Sequence, residues 1–532
     1  MPIVRKNLMP LSGSWPLSFN SFMRDLINDP LWEAADLGRP IPDSRHAVSV
    51  CLPTWAGVIG YEEADPAVTG RMQAGYPRFF CHPLVTELLA RVAREKAGDG
   101  EKVLVFPTPE AAAAAADWIL LKEDVCGVAV RRLHEDGDDA TDATAVIFPA
   151  GAEKSARLYW RFSGQGVSSR LAESLLAGWG ASEFREAESA GAAARSLVRQ
   201  RLAALTGQPA DHVFLFCSGM AGVHAVQRTL GLLRPGLPTA QLGFPYVDVL
   251  KVQEEFGAGV RFLPGVGGEA MAGLAALAAR EPLAGLYTEL PSNPLIEMPD
   301  LPAVARLAAA HGFPVVADDT VATCAAIDAF AHADVVTTSL TKAFSGVGDV
   351  LAGAVIVSSR SVWADPLRRL LSAQEAAAPL FGPDAVVLEK NSRDFVERVH
   401  RMSASAATVA AWLAAHPAVE RVHYPSLNPA QEAACAALRR PGLSSSSGHG
   451  MLLSLTLRDP AATPSFFDRL RLCKGPSLGT NYSLACPYTL LAHYTELDWA
   501  ARCGVSRDLI RVSIGLEDPA ELIARFQDAL PQ

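Results

Sequence analysis

Four short segments between residues 217 and 342 carry groups that could act together on a phosphorylated, carbonyl-bearing molecule. In chain order they are "CSGMAG", "TELPSNPL", "VVADDT" and "TTSLTK". Lys342 ends the last segment, and its amine can condense with a carbonyl group. Asp318, in the third segment, is a carboxylate that can keep a ring nitrogen protonated. Each residue alone is ordinary, because loop lysines and turn aspartates are common on protein surfaces.

The neighbouring residues suit a phosphate and a flat ring. Gly219 and Met220 open a predicted helix, whose free backbone amides bind anions. The hydroxyls of Ser339 and Thr341 would complete this phosphate cup. Tyr246, in "GFPYVDVLK", is a candidate stacking residue. Pyridoxal phosphate needs an amine, a carboxylate, a phosphate cup and a flat surface, so these residues predict that cofactor.

The order of apolar runs predicts how these groups meet. "HVFLF", "AGLYTEL", "FPVVADD" and "DVVTTSL" alternate with helical stretches, which indicates βαβ units on a mostly parallel, buried sheet. Right-handed crossovers place the carboxyl ends of such strands at one edge of the sheet. The predicted fold class is therefore α/β, with the candidate residues at that edge.

The chain divides into three predicted regions. Residues 1–150 form a folded N-terminal extension of unknown role, in which we find no chemical constellation. Residues 151–395 form the sheet-bearing large domain, and 151–175 are its N-terminal arm. Residues 396–532 form an α+β C-terminal domain, which begins with a long helix followed by a strand.

Composition restricts the class of protein. The chain has 532 residues and a formal charge of -10 at pH 7, which argues against a nucleic-acid surface. Its nine cysteines include no C-x-x-C pair, and its histidines show no metal-ligand spacing. We see neither a secretory signal nor an apolar run long enough for a membrane span. We expect a cytoplasmic protein without a metal or membrane partner.

The sequence resembles the Cys/Met-metabolism PLP-dependent family. The resemblance rests on "TELPSNPLIEMPDL", "HGFPVVADDT" and "DVVTTSLTKAFSG", which follow that family's order and spacing, and it extends over roughly residues 155–520. It implies PLP fold type I, as in the aspartate aminotransferases. "YWRFSGQGVSSR", "EKNSRDF" and "SLGTNYSLACPYTLLAHYTELDWA" are most similar to the long fungal-type cystathionine γ-synthases, which also have an N-terminal extension.

The resemblance assigns roles around the cofactor. Lys342 corresponds to the lysine that binds the cofactor and later moves protons. Asp318 corresponds to the acid beside the ring nitrogen and is favoured over its neighbour Asp319, because Asp318 holds the family's position. Asn293 lies near the phenolic oxygen, and Tyr246 stacks on the ring. The phosphate-binding residues are Gly219, Met220, Ser339 and Thr341.

A second set of roles concerns the partner chain. "LYWRFSG" matches the family's Y-x-R pattern, with Tyr159 and Arg161 as its two ends. In relatives this pair reaches the cofactor phosphate of a neighbouring chain. The resemblance therefore implies a homodimer or homotetramer whose active sites are shared between chains.

A third set concerns the substrate. "RVSIGLED" aligns Arg511 with the residue that binds the α-carboxylate, and "PSLGTNYSL" places Ser477 beside the same group. Tyr482 stands where many relatives have a glutamate near the substrate's γ-carbon. This difference leaves γ-replacement, γ-elimination and β-elimination open.

The implied activity is that of a cystathionine γ-synthase-like enzyme, a transferase of trans-sulfuration and methionine biosynthesis. An O-acyl-homoserine and cysteine would be its substrates. The alternatives on the same fold are an O-acylhomoserine sulfhydrylase and a cystathionine or methionine lyase. An alternative of another class is a catalytically silent, cofactor-binding paralogue.

Overall fold

The computed structural model describes residues 24–133, 141–444 and 448–531. Its strands are β1 (Glu101–Phe106), β2 (Ala129–Arg132), β3 (Thr144–Pro149), β4 (Val213–Phe216), β5 (Thr239–Leu242), β6 (Val260–Leu263), β7 (Gly285–Glu289), β8 (Val315–Asp318), β9 (Val335–Thr338), β10 (Gly353–Val357), β11 (Val419–His423), β12 (Leu452–Leu457), β13 (Cys473–Lys474), β14 (Leu484–Pro487) and β15 (Ile510–Ser513). Its helices are α1 (Trp55–Glu62), α2 (Pro66–Thr69), α3 (Pro83–Lys96), α4 (Pro109–Lys122), α5 (Glu153–Ser163), α6 (Ser169–Leu176), α7 (Ala181–Thr206), α8 (Gly219–Leu233), α9 (Val247–Phe256), α10 (Gly268–Arg280), α11 (Leu301–His311), α12 (Ala364–Ala377), α13 (Gly382–Asn391), α14 (Phe395–Ala415), α15 (Pro429–Leu438), α16 (Thr463–Arg469), α17 (Tyr488–His493), α18 (Leu497–Arg502) and α19 (Pro519–Ala529).

The largest sheet has the strand order β4-β10-β9-β8-β7-β5-β6. Strands β5 to β9 pair in parallel with their neighbours, whereas β10 runs antiparallel to both β4 and β9. The strands that the apolar runs predict between residues 212 and 340 are confirmed as β4, β7, β8 and β9. The mostly parallel sheet is therefore confirmed, and the carboxyl ends of these strands share one edge.

The sheet is buried on both faces. Successive residues of a strand point to opposite faces, and Val315 accordingly lies in one apolar cluster while Val316 lies in another. The register pairs Asp318 with Glu289 on one side and with Thr337 on the other. Three polar side chains therefore lie at or next to the ends of adjacent strands, at the edge that carries the candidate site.

A second sheet organises the C-terminal region, with the strand order β11-β12-β15-β14-β13 among the described residues. The predicted long helix and following strand are confirmed as α14 and β11. Strands β14 and β15 pair in an antiparallel register that sets Cys486 opposite Arg511. These strands deliver side chains toward the edge of the large sheet.

The N-terminal extension is folded and has two parts. Its first described segment crosses to the C-terminal sheet, where the Leu52 amide donates to the Lys474 carbonyl at 2.9 Å. Helices α1 and α2 follow, and Trp55 of α1 packs against Phe467 of α16. Its second part is a sheet with the order β1-β3-β2, with helices α3 and α4 packed against it. In the part of the chain that the structure describes, no helix is both long and apolar enough to cross a membrane.

Candidate active site

A cavity of about 570 Å³ opens at the carboxyl edge of the large sheet, where the C-terminal sheet and the N-terminal extension meet it. The candidate residues that line it are Arg161, Gly219, Met220, Tyr246, Asn293, Asp318, Ser339, Lys342 and Arg511. The fold thus brings together most of the residues that the sequence singles out.

Lys342 follows β9 and extends into this cavity. Its Nζ lies 3.1 Å from the Oγ of Ser477, which belongs to the C-terminal region. Burial lowers the pKa of the Lys342 amine, the Tyr76 hydroxyl opposes that shift, and the Arg511 guanidinium lowers the pKa further. A lowered pKa increases the share of neutral amine, which is the form that reacts with carbonyl groups and accepts protons.

Asp318 ends β8 with both carboxylate oxygens held. Oδ1 accepts a hydrogen bond from the Thr320 amide at 3.0 Å, and Oδ2 accepts one from the Thr337 hydroxyl at 2.8 Å. Burial raises the pKa of Asp318, and these hydrogen bonds oppose the shift. The neighbouring Asp319 does not line the cavity. The geometry therefore favours Asp318 over Asp319 as the acid that faces a cofactor ring.

A candidate anion site lies at the start of α8. Ser218 caps this helix, because its Oγ accepts from the Ala221 amide at 3.1 Å. Gly219 comes next, and a Cβ built there would lie 2.9 Å from the Cβ of Ser339. Glycine is thus required where the helix start meets the loop that carries Ser339 and Lys342.

The prediction for Thr341 is wrong in one respect, because its hydroxyl does not line the cavity. The hydroxyl donates to the Ala352 carbonyl at 3.2 Å and accepts from the Ala352 amide at 3.0 Å. Both hydrogen bonds tie the loop to the neighbouring strand. Thr341 therefore positions the residues on either side of it, and Ser339 is the one of the two candidate hydroxyl residues that lines the cavity.

Arg511 lies on β15 and is almost completely buried. Its Nη2 donates to the carbonyls of Pro476 at 2.8 Å and Ser477 at 2.9 Å, and its Nη1 donates to Oδ1 of Asn293 at 3.3 Å. The ring centre of Tyr488 lies 4.9 Å from its Cζ. These contacts fix a planar, charged fork against the cavity, which is the arrangement that suits a carboxylate.

Tyr482 lies away from the cavity, so the prediction that it contacts substrate is wrong for this structure. The side chain is buried in an apolar cluster with Leu31 and Ile41 of the N-terminal extension. Its hydroxyl donates to the Val347 carbonyl at 3.4 Å. A tyrosine is apolar enough to be covered in this way, whereas the glutamate of relatives is not.

The assignment of Tyr159 to a cofactor phosphate is also wrong. Tyr159 lies on α5 within the core, where its hydroxyl donates to Gln165 at 3.1 Å and its ring centre lies 6.0 Å from that of Phe106. Arg161 does line the cavity, and its Nη2 donates to Asp248 at 2.9 Å. Residues two positions apart on a helix point to opposite sides, so this Y-x-R pair cannot reach one phosphate together.

A second Y-x-R pair, which sequence reasoning missed, lines the cavity. Tyr76 and Arg78 lie in "GYPRFF", in the loop before α3, and both line the cavity of their own chain. The Lys342 Nζ lies 4.4 Å from the ring centre of Tyr76. Arg78 donates from Nη2 to the Tyr246 hydroxyl at 2.6 Å, and its Nη1 pairs with Asp248. The repeated spacing in a loop, where alternate residues can face one site, is the signal that could have identified them.

This pair also corrects the expectation that residues 1–150 hold no chemical constellation. Burial would raise the pKa of the Tyr76 hydroxyl, but the adjacent Lys342 and Arg78 cations lower it below its usual value. Burial disfavours a charged Arg78, and the surrounding Tyr246 and Asp248 hold it in the cationic form. The extension therefore contributes a phenol and a fixed positive charge to the cavity.

Glu289 is a further cavity residue that the sequence reasoning did not assign. It ends β7, and its carboxylate accepts from the amides of Tyr246 at 2.7 Å and Asn293 at 3.1 Å. Burial, and then the nearby Asp318, raise its pKa well above the usual value. Glu289 thus positions the two loops that carry the candidate stacking tyrosine and Asn293.

Residues 188–531 match a family described as Cys/Met metabolism PLP-dependent enzyme. The chain belongs to this family. Residues 82–168 match a second description, the N-terminal domain of fungal trans-sulfuration enzymes. The predicted resemblance and the cofactor class are thereby confirmed, and the chain is a PLP-dependent enzyme of the cystathionine γ-synthase-like group.

Relatives match over nearly the whole chain. A cystathionine gamma-synthase of Neurospora crassa is 33% identical and covers 93% of this chain and 98% of its own. An L-2-amino-4-chloropent-4-enoate dechlorinase/desaturase of Streptantibioticus cattleyicolor is 36% identical and covers 92% of this chain and 97% of its own. Among solved structures, the cystathionine gamma lyase CalE6 of Micromonospora echinospora has a TM-score of 0.52 at 30% identity, covering 60% of this chain and 82% of its own. PLP fold type I is confirmed.

The residues present fit pyridoxal phosphate. Lys342 offers a buried amine with a lowered pKa, and Asp318 offers a fixed carboxylate in the same cavity. Gly219 lets the loop that carries Ser339 approach the start of α8, and the free amides at a helix start suit an anion. Arg78 adds a cation beside Tyr246. These side chains would hold the aldehyde, the ring nitrogen and the phosphate of the cofactor.

Proposed function

We propose that this enzyme catalyses γ-replacement on an O-acyl-L-homoserine. The sulfur of L-cysteine forms a bond to the γ-carbon, the bond from that carbon to the acyl oxygen breaks, and the products are cystathionine and the free acid. The names of relatives that match along almost their whole length support this assignment, since the Neurospora crassa protein is a cystathionine gamma-synthase.

The observation that carries the proposal is the position of Ser477 between two cavity groups. Its Oγ lies 3.1 Å from the Lys342 Nζ, and its carbonyl accepts from Arg511 at 2.9 Å. An amino acid whose α-carboxylate binds Arg511 is therefore held with its α-carbon next to Lys342. This arrangement suits proton transfer at the α-carbon, which precedes chemistry at the γ-carbon.

The chain's own residues then have distinct tasks. Pyridoxal phosphate, when bound, supplies the electron sink that makes the α-proton of the substrate acidic. Lys342 accepts that proton, because its lowered pKa favours the neutral amine. Asp318 would provide the carboxylate that keeps the ring nitrogen of the cofactor protonated, and Arg511 would bind the substrate carboxylate. Tyr76 lies beside the amine and helps to exclude water from it.

A second candidate is elimination at the same carbon without a sulfur nucleophile. Two observations favour it. Tyr482, which stands where the resemblance implies a glutamate near the γ-carbon, does not line the cavity. A relative with 36% identity bears a name that describes loss of chlorine from carbon 4 of an amino acid. An O-acylhomoserine sulfhydrylase would differ from the proposed enzyme only in its sulfur nucleophile.

We propose further that the enzyme is a cytoplasmic homodimer or homotetramer.

The test is to incubate the purified holoenzyme with O-acetyl- and O-succinyl-L-homoserine, with and without L-cysteine or sulfide, and to identify the products by mass. Cystathionine that forms only with cysteine supports the proposal. Homocysteine from sulfide alone indicates the sulfhydrylase, and 2-oxobutanoate with ammonia indicates the lyase. Binding of the cofactor without any product indicates the silent paralogue.

A further inference from the structure

Glu62 is a cavity carboxylate without an assigned task. The other carboxylates that line the cavity are each held by hydrogen bonds: Asp318 and Glu289 by the groups described above, and Glu496 by the His493 ring at 2.9 Å. Glu62 has no hydrogen bond or ion pair to any residue that the structure describes. A partly buried, unpaired carboxylate costs stability, so its presence in a cavity indicates a ligand that pairs with it.

The backbone around Glu62 also favours a cation. Glu62 is the last residue of α1, where the unpaired carbonyls of a helix C-terminus create a negative potential. Burial raises the pKa of Glu62 to about 7, and the positive charge of Arg161 only partly opposes this shift. A ligand that carries an ammonium group would offset both the burial of the carboxylate and the negative potential of the helix end, because it brings a positive charge to them.

Glu62 is a half-buried residue of the cavity wall. Phe79, another lining residue, is 39% exposed, and its ring centre is 4.4 Å from the Cζ of Arg161. The adjacent Glu63 faces outward and accepts a hydrogen bond from the Tyr494 hydroxyl at 2.5 Å. Arg161 is already held by Asp248 at 2.9 Å, and no ion pair joins Arg161 to Glu62 among the described residues. The unpaired group in this part of the cavity wall is therefore the Glu62 carboxylate, which suits an ammonium group.

We propose that Glu62 binds the ammonium group of the second substrate, the amino-acid thiol, as that substrate enters the cavity. This inference rests on the proposed γ-replacement and specifies how its nucleophile is recognised. Glu62 then discriminates thiols that carry an ammonium group from thiols that do not. The extension thereby selects the nucleophile, while Arg511 and Lys342 act on the first substrate.

The test compares thiols at a saturating concentration of the O-acyl-homoserine. L-Cysteine and cysteamine carry an ammonium group, whereas 3-mercaptopropionate carries only the carboxylate. Glu62→Gln should lower kcat/KM for cysteine and cysteamine by about 10- to 100-fold, the value of a charge-assisted hydrogen bond. It should change the value for 3-mercaptopropionate by less than about twofold. Glu62→Asp should restore part of the loss, and Glu63→Gln is the matched control that should behave as wild type.

Several outcomes would overturn the inference. An equal loss for all three thiols would assign Glu62 to proton transfer or to folding. No loss for cysteine, or a wild-type enzyme that uses 3-mercaptopropionate as well as cysteine, would show that the ammonium group is not recognised. The release of acid from O-acyl-homoserine without any thiol should be unchanged in Glu62→Gln. If the wild-type enzyme forms no thioether with any thiol, the proposed function itself fails. That result differs from one in which thioethers form but Glu62→Gln does not change the preference among the thiols.

Discussion

The Lys342 Nζ lies 4.4 Å from the ring centre of Tyr76, so the N-terminal extension contacts the buried amine of the cavity. The contact joins the loop before α3 to the loop after β9, and it affects the pKa of both side chains. The extension is therefore part of the cavity wall.

Lys342 should be the residue that binds the cofactor covalently. Borohydride reduction of the holoenzyme, followed by peptide mapping, should place the pyridoxyl mass on Lys342, and Lys342→Ala should lose the visible absorbance that its amine generates. A label on Lys251, which also lines the cavity, or on Lys390 would contradict the assignment.

Asp318→Asn should lower kcat by about 1000-fold or more while the cofactor remains bound, because the ring nitrogen loses its negative partner. Asp319→Asn is the control. Its carboxylate is buried but does not line the cavity, and burial raises its pKa to about 7. If Asp319→Asn abolishes turnover and Asp318→Asn does not, the two residues have exchanged roles.

Arg78 should act within its own chain. An Arg78→Ala chain and a Lys342→Ala chain, each inactive alone, should regain no activity when they are co-expressed and isolated as a hetero-oligomer. The reason is that Arg78 bonds to Tyr246 at the cavity that contains Lys342 of the same chain. Recovered activity would show instead that the site is shared between chains, as the family resemblance implies.

Gly219→Ala should raise the dissociation constant of pyridoxal phosphate by about tenfold or more, since a new methyl group would collide with Ser339 and shift the start of α8. Gly231→Ala is a matched control in the same helix, because no atom lies within 4 Å of the added Cβ. That variant should bind the cofactor normally and gain up to about 1 kcal/mol of stability. Equal affinities for the two variants would argue against an anion site at Gly219.

Lys474 should make stability rise with pH above neutrality. It is fully buried, its Nζ donates to the Pro53 and Asp468 carbonyls at 2.9 Å, and burial lowers its pKa to about 7. Between that value and the pKa of an unfolded lysine, the folded chain binds fewer protons than the unfolded chain, so the free energy of unfolding increases with pH.

The measurement is urea unfolding of wild type and Lys474→Met at pH 7 and pH 10. Relative to the variant, wild type should gain on the order of 3 kcal/mol across this interval. A constant difference between the two proteins would mean that Lys474 keeps its ordinary pKa.

The sequence predicted the large sheet and the residues at its edge because local patterns determine them. Short apolar runs specify buried strands, and parallel pairing places Asp318 at the end of β8 and Lys342 just after the end of the neighbouring β9. The family resemblance also pointed to Arg511, which lies on the regular strand β15 and lines the cavity.

The tertiary structure alone decided which Y-x-R pair serves the cavity and which side chains turn away from it. Tyr159 and Arg161 lie on a helix, which separates residues two positions apart, whereas Tyr76 and Arg78 lie in a loop that bonds to Tyr246. The burial of Tyr482 under the extension depends on contacts with residues more than 400 positions away in the chain, such as Leu31 and Ile41. Spacing in a sequence records which residues are near one another along the backbone, and only packing determines the direction in which each side chain points.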